Sequence, residues 1–218
     1  MAQEWATEHL QVIRTLMERS AIYRRALAPI MLLTGSLGLL AGLAGFAEGE
    51  LARSSKLSFP RFFVVYWLGV SLIAVAGAYL LVRRQALRDA EPFWSLPTRR
   101  VTSAILPAFV LGLVVGLVAA LPRWREPLQI WWLPPVWMGL YGCALHAAGF
   151  FMPRGIRLFG WLFALVACVL IALVNQRSYA AGMPPLHWAH GVMGGGFGGL
   201  HLAYGVYLYF TEKRKNEA

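Results

Sequence analysis

Six long apolar segments limit what this chain of 218 residues can fold into. A helix needs roughly 20 predominantly apolar residues to cross the ~30 Å hydrocarbon core of a bilayer. The segments that reach or approach this length are residues 26–46, 62–82, 101–121, 128–152, 158–174 and 188–210. Only 14% of the residues are charged, whereas a soluble domain has about a quarter. The sequence therefore predicts an all-α membrane protein of six transmembrane helices.

The basic residues predict the orientation of these helices. The formal net charge is +10, but the arginines and lysines form short clusters between apolar segments instead of one continuous stripe. This distribution argues against nucleic acid and indicates contact with anionic lipid headgroups. The connections on one side carry more of the charge, and the positive-inside rule places that side in the cytoplasm. We expect a multi-pass protein of the bacterial inner membrane with both termini cytoplasmic.

The two ends of the chain differ from the predicted six-helix bundle of residues 26–210. In residues 1–25 apolar side chains such as Trp5, Val12 and Leu16 recur at helical spacing, which predicts an amphipathic helix. Such a helix is either an interfacial anchor or a docking helix for a cytoplasmic protein. Residues 211–218 form a basic cytoplasmic tail.

Histidines within the apolar segments are the first candidate site, because ionisable groups are costly there and often functional. His146 lies in the fourth segment and His201 in the sixth. The pair predicts either neutral imidazoles hydrogen-bonded across helices or, as the alternative, the two ligands of haem b. Counted inward at about 1.5 Å per residue, the two lie about 9 Å apart in depth, which disfavours haem. On a regular helix, His190 and His201 would lie about 20° apart.

Glycines in the sixth segment are the second candidate site. GxxxG spacings let two helix backbones approach closely in lipid, and glycines of the first and third segments offer matching surfaces. We expect close packing within one chain or between two copies of it, and a larger destabilisation from Gly195→Leu than from Leu200→Ala. The predicted packing residues are Gly191, Gly194, Gly195, Gly198 and Gly199.

The connection at residues 91–100 is the third candidate site. Trp and Arg are favoured both at headgroup level and in protein interfaces, so the connection predicts an interfacial turn or a partner-binding surface. Together with Trp5 of the N-terminal helix, the candidate contact residues are Glu91, Trp94, Arg99 and Arg100.

Three stretches carry a resemblance to known proteins. They are residues 10–20 (LQVIRTLMERS), residues 91–95 (EPFWS) with the following Arg99–Arg100 pair, and residues 195–205 (GGFGGLHLAYG). In these stretches the chain resembles a group of uncharacterised bacterial six-span membrane proteins, often encoded beside a winged-helix transcriptional regulator. The resemblance implies no established activity. It makes Glu91, Trp94, Arg99 and His201 the first positions to test.

These observations predict a non-enzymatic protein. No catalytic set of Ser, His, Asp or Cys is visible, no metal-ligand spacing occurs, and no carboxylate lies in the middle of a segment. We expect a regulatory or accessory subunit of a membrane complex, with no cofactor. The alternative is an electron-transfer protein that binds haem b, and the third possibility is a small-solute transporter or channel.

Overall fold

The computed structural model describes residues 21–51, 59–90, 92–121, 130–180 and 184–217. All regular secondary structure in these ranges is helical. In chain order the elements are α1 (Ala21–Leu51), α2 (Phe59–Arg88), α3 (Leu96–Ala119), α4 (Leu133–Ala148), α5 (Arg154–Ala180), α6 (His187–Met193), a π-helical segment (Gly194–Gly199) and α7 (Leu200–Glu217). The last three elements follow one another without interruption, and we call them together the last rod.

Four of the described helices are long and apolar enough to cross a bilayer. They are Ala26–Glu48, Arg61–Arg88, Leu96–Ala119 and Arg154–Arg177. This finding confirms the prediction of an all-α fold with membrane-type helices. The fourth and sixth predicted segments differ: α4 has only 16 residues, because the chain turns after Ala148, and the last rod is divided by its π segment. The count of six spans stays a prediction.

Prolines and one unusual backbone angle set the helix ends. Pro134 and Pro135 stand in the first turn of α4, and Pro97 in the first turn of α3. Proline suits this position, because the missing N–H would have no partner inside the helix. Between α2 and α3, Ala90 has a φ of 52°. This left-handed conformation ends α2 and starts the connection that carries Trp94.

The first helix packs between α2 and the last rod, antiparallel to both. Along α1, Gly35 faces Leu202, Gly38 faces Gly198 and Gly42 faces Gly194. Residue numbers thus fall on one helix as they rise on the other. On its other side, Ala41 of α1 accepts a hydrogen bond from the Tyr66 hydroxyl of α2 at 2.7 Å. The start of α1 and the end of the last rod therefore lie at the same end of the bundle.

A second antiparallel pair is formed by α4 and α5. An ideal Cβ on Gly142 would lie 2.8 Å from the carbonyl oxygen of Gly160, so the two backbones touch. Helix α3 packs on the opposite side of α4, where the Trp137 indole N–H donates to the carbonyl of Gly112 at 2.9 Å. Only glycine leaves room for the first contact, and the indole bond fixes the second.

Two clusters of buried apolar side chains divide the interior along its length. One lies toward the C-terminal end of α1 and is built around Phe63, Trp67 and Met193. The other lies toward the N-terminal end of α1 and is built around Met31, Phe159 and Phe163. The arginines of α2 and α3 that flank the Trp94 connection lie at the same end as the second cluster. This basic end of the bundle is the face predicted to be cytoplasmic.

Candidate functional site

The last rod meets α1 through glycines. An ideal Cβ on Gly194 would lie 2.8 Å from the Cα of Gly42, and one on Gly198 would lie 2.7 Å from the carbonyl carbon of Gly38. Real side chains do not approach backbone atoms that closely, so these positions accept no larger residue without separating the helices. Close backbone approach is a main source of attraction between helices in lipid. Gly194 and Gly198 therefore form the packing face, within one chain.

The other three glycines of the predicted set lie elsewhere on the rod. Among the atoms of the described residues, a Cβ at Gly195 or Gly199 would meet none within 4 Å, and one at Gly191 would meet only Phe46, at 3.8 Å. Neighbouring helical residues point about 100° apart, so Gly195 cannot share the face of Gly194. Within one chain, the expectation that Gly195 lies at a close approach therefore does not hold for the described residues, and packing of this glycine between two copies stays a prediction.

His201 is held by two hydrogen bonds in the interior, with 1% of its surface exposed. Its Nδ1 lies 2.6 Å from the carbonyl oxygen of Phe197. A carbonyl only accepts, so Nδ1 carries the proton and donates. Nε2 is then the acceptor for the Tyr141 hydroxyl of α4, at 2.6 Å. The imidazole is neutral, and both its nitrogens are occupied.

Aromatic rings complete the surroundings of His201. Its ring centroid lies 5.3 Å from each of Tyr141, Phe159 and Phe163, which come from α4 and α5. The Phe159 ring meets it edge-on, at 89°. Sequence analysis singled out His201 but not Tyr141. The spacing of tyrosines in an apolar segment gives no sign of which histidine a hydroxyl will reach.

His146 lies apart from His201. Its ring packs against Phe150 and Trp161, and its buried Nδ1 has no hydrogen-bond partner among the described residues. Tyr141, which marks the level of His201, precedes His146 by five residues, or about 7.5 Å along α4. A haem held by both histidines would require His201 to give up Tyr141. The geometry favours the hydrogen-bonded histidine, and haem b stays the alternative prediction.

His190 occupies a second aromatic enclosure, in the other half of the bundle. It is 0% exposed, and its Nδ1 accepts a hydrogen bond from the Trp67 indole at 3.2 Å. The rings of Phe63 and Tyr66 pack on it at 4.9 and 5.3 Å. The π segment lies between His190 and His201, so the 20° separation expected for a regular helix does not apply. Sequence analysis missed Trp67, although the aromatic run of residues 62–67 was a signal for it.

The connection between α2 and α3 presents an exposed tryptophan on an ordered turn. Trp94 is 58% exposed and stacks on Phe93 at 6.2 Å. Phe93 in turn packs edge-on against Tyr79 of α2 at 5.0 Å. The Thr98 hydroxyl donates to the carbonyl of Phe93 at 2.9 Å. These contacts hold the turn against α2 and the start of α3, and the Trp94 ring remains exposed.

Two arginines of the predicted contact set follow this turn, and both are exposed. The guanidinium of Arg100 lies 6.0 Å from the centroid of the Phe151 ring, in the turn between α4 and α5. Arg99 adjoins the Trp94 turn at the start of α3. The other two predicted contact residues, Trp5 and Glu91, lie outside the described residues.

Neither metal ligation nor similarity to known proteins adds a function to this geometry. In the ranges that the structure describes, no three His, Cys, Asp or Glu side chains come together as a metal site. No protein-family model, curated protein or solved structure matches the chain. Two features of the residues themselves remain as the basis for function: two enclosed histidines and an exposed tryptophan turn at the basic end of the bundle.

Proposed function

We propose that this protein is a non-enzymatic accessory or regulatory subunit of a complex in the bacterial inner membrane. In this proposal the chain crosses the membrane six times, with both termini cytoplasmic, and binds a protein partner through the Trp94 turn. The observation that carries it is a tryptophan 58% exposed on a turn fixed by hydrogen bonding and ring packing. Tryptophan and arginine are the side chains most often found at the energetic centre of protein interfaces.

The state of the two histidines supports a structural role for the interior. His201 has both ring nitrogens engaged by Tyr141 and Phe197, and His190 is bonded to Trp67. The bonds to Tyr141 and Trp67 join helices that are distant in sequence. The buried polar groups therefore connect the helices of the bundle itself, and we place the functional contact at the surface.

The arrangement of helices supports a binding surface on α2 and α3. In the most apolar 18-residue stretch of each of these two helices only 11% of the residues are buried, against 33% in the corresponding stretch of α1. Both therefore lie at the periphery of the bundle, and the Trp94 turn joins them at its basic end. Arg99 stands beside the turn, exposed. The amphipathic helix predicted for residues 1–25 is a second proposed contact, and its first 20 residues lie outside the described residues.

Site-specific photo-crosslinking tests the proposal. A photoreactive phenylalanine analogue is placed at position 94 in the full chain, expressed in native membranes. We expect one protein adduct of defined mass, which is lost when Arg99→Gln is added, because the guanidinium is part of the same contact. Adducts to lipid alone would show that the turn is an interfacial anchor and would overturn the proposal.

The opposite end of the bundle provides a matched control. Trp188 is exposed to a similar extent, 53%, and packs on Phe46 at the C-terminal end of α1. The same analogue at position 188 should give no protein adduct. Equal protein adducts from both positions would mean that any exposed aromatic position is crosslinked, and the assignment to Trp94 would fail.

A further inference from the structure

The turn between α4 and α5 gathers two guanidinium groups on two exposed aromatic rings. Arg100 of α3 lies over Phe151 at 6.0 Å, and Arg157 of α5 lies over Phe150 at 5.3 Å. The two phenylalanines are adjacent in the chain, so arginine side chains from two helices lie at one short turn. We call Arg100, Arg157, Phe150 and Phe151 the arginine–phenylalanine site.

The turn is built firmly enough to position these groups. The backbone N–H of Phe151 donates to the carbonyl of Ala148 at 2.9 Å, and that of Gly149 donates to Leu145 at 2.8 Å. An ideal Cβ on Gly149 would lie 2.7 Å from the Cβ of Arg157. The backbone of the turn therefore packs directly on α5, and this contact fixes the base of the Arg157 side chain.

Both guanidinium groups keep their hydrogen-bonding capacity. Each contacts a phenyl face, and no carboxylate or hydrogen-bond acceptor among the described residues pairs with either. An arginine carries five N–H donors, in a planar fork that matches a phosphate group. Ring contact orients the plane of the fork and leaves its donor edge free for an anion.

The positive charge at the starts of α3 and α5 also favours a bound anion. Helices α3 and α5 have no acidic residue in the first turn, where the helix dipole favours negative charge. Instead, Arg99 and Arg100 stand near the start of α3, and Arg154 and Arg157 near the start of α5. Positive side chains at these ends repel the dipole, and a bound anion would offset that repulsion.

The apolar surface beside the site identifies the kind of anion. Phe150 is 64% exposed and Phe151 is 42% exposed. Further along α5, Leu158, Trp161 and Leu165 are exposed by 69%, 55% and 59%. An inorganic anion would use the arginines only. A phospholipid would place its phosphate on the arginines and its acyl chains along this face of α5.

We propose that the arginine–phenylalanine site binds the headgroup of an anionic phospholipid at the turn between α4 and α5, beside the start of α3. Basic sites between helices at the cytoplasmic side are suited to such headgroups. The site is separate from the proposed contact at Trp94 and requires no protein partner. It also goes beyond general attraction of a basic face to the membrane, because it assigns the lipid to two named arginines.

Lipid binding by the full-length protein in detergent tests the proposal. Phosphatidylglycerol or phosphatidylcholine is added, and bound lipids are counted by native mass spectrometry. We expect the wild type to retain phosphatidylglycerol in preference to phosphatidylcholine. The Arg100→Gln/Arg157→Gln variant should bind phosphatidylglycerol about tenfold more weakly, since each arginine contributes to the attraction. Inorganic phosphate at equal ionic strength should displace the lipid no better than chloride.

A matched variant separates the site from net charge. Arg83→Gln/Arg84→Gln removes the same two charges from exposed positions near the end of α2 and should leave phosphatidylglycerol binding unchanged. Equal loss in both variants, or displacement by phosphate alone, would overturn the proposal. The Arg100→Lys/Arg157→Lys variant keeps the charge and guards against misfolding; it should melt like the wild type and bind between wild type and the Gln variant. Binding equal to that of the Gln variant would also count against the site, because the retained charge would then contribute nothing.

Discussion

The last rod attaches to the rest of the bundle in two different ways on its two buried sides. Toward α1 it presents Gly194 and Gly198, and the backbones touch. Toward α4 and α5 it presents Phe197, His201 and Tyr204, which fill the space with rings and one hydrogen bond to Tyr141. The rod packs closely on α1 because glycine has no side chain. It packs closely on α4 and α5 because large side chains interlock there.

The difference shows what each side can tolerate. Helices in lipid gain little from excluding water, so attraction depends on contact between atoms and on hydrogen bonds. A backbone contact has no flexible part, and any added atom must move a whole helix. Rings can shift or be replaced by others of similar volume, so a substitution on the second side should cause a smaller loss of stability. We expect substitutions on the two sides to differ sharply in their cost.

The largest effect is expected from Gly198→Leu. An added side chain would collide with the backbone of Leu39 and would lie 2.7 Å from the carbonyl carbon of Gly38. Neither neighbour can rotate away, so we expect a loss of about 3 kcal/mol or more of stability. The free energy of unfolding in mixed detergent micelles measures it. Gly199→Leu, one residue along and facing open space, serves as the control, and equal losses in both variants would remove the basis of the comparison.

A smaller effect is expected from Tyr141→Phe on the other side. The substitution keeps the ring and removes the donor to Nε2 of His201, which leaves a buried acceptor without its partner. Hydrogen bonds between membrane helices are worth about 1 kcal/mol, and we expect a loss of this size in the same unfolding measurement. Tyr207→Phe makes the same chemical change at a residue that is 60% exposed and should be neutral. A neutral Tyr141→Phe would show that ring packing alone holds this side.

The smallest effect is expected from Gly195→Leu. No atom of the described residues lies within 4 Å of an added Cβ here, and leucine has a higher helix propensity than glycine, so stability should change by less than about 0.5 kcal/mol. Leu200→Ala, which removes a side chain packed against the second apolar cluster, should cost more. Melting midpoints of the two variants give the order directly. If Gly195→Leu proves the more damaging, the glycine face has been assigned to the wrong residues.

The coarse architecture could be predicted from the sequence because hydrophobicity acts locally. The helical character of residues 26–46 and 62–82 follows from run length. The glycine cluster also indicated close packing with Gly38 and Gly42. Each of these features depends on a short stretch of chain and on the general cost of exposing polar backbone in lipid.

The orientation of individual side chains could not be predicted, because it depends on the exact register. Gly194 and Gly195 have the same composition and spacing signal, yet only Gly194 meets α1. The angular positions of side chains along the rod change within the π segment, and no residue pattern predicted this segment. The pairings of His201 with Tyr141 and His190 with Trp67 cross 60 and 123 positions of the chain. Such contacts arise from the packing of whole helices.

The π segment has a consequence for insertions and deletions. An i→i+5 turn accommodates about one residue more than an α-helical turn. Removing one codon from the glycine run would let the rod continue as a regular α-helix. The 18 residues of α7 would then keep nearly their present rotation relative to α6, because the deleted residue is the extra one that the π turn holds. His190 would keep Trp67 and His201 would keep Tyr141, so the glycine run should tolerate this deletion, whereas one residue lost from a regular α-helix turns everything after it by about 100°.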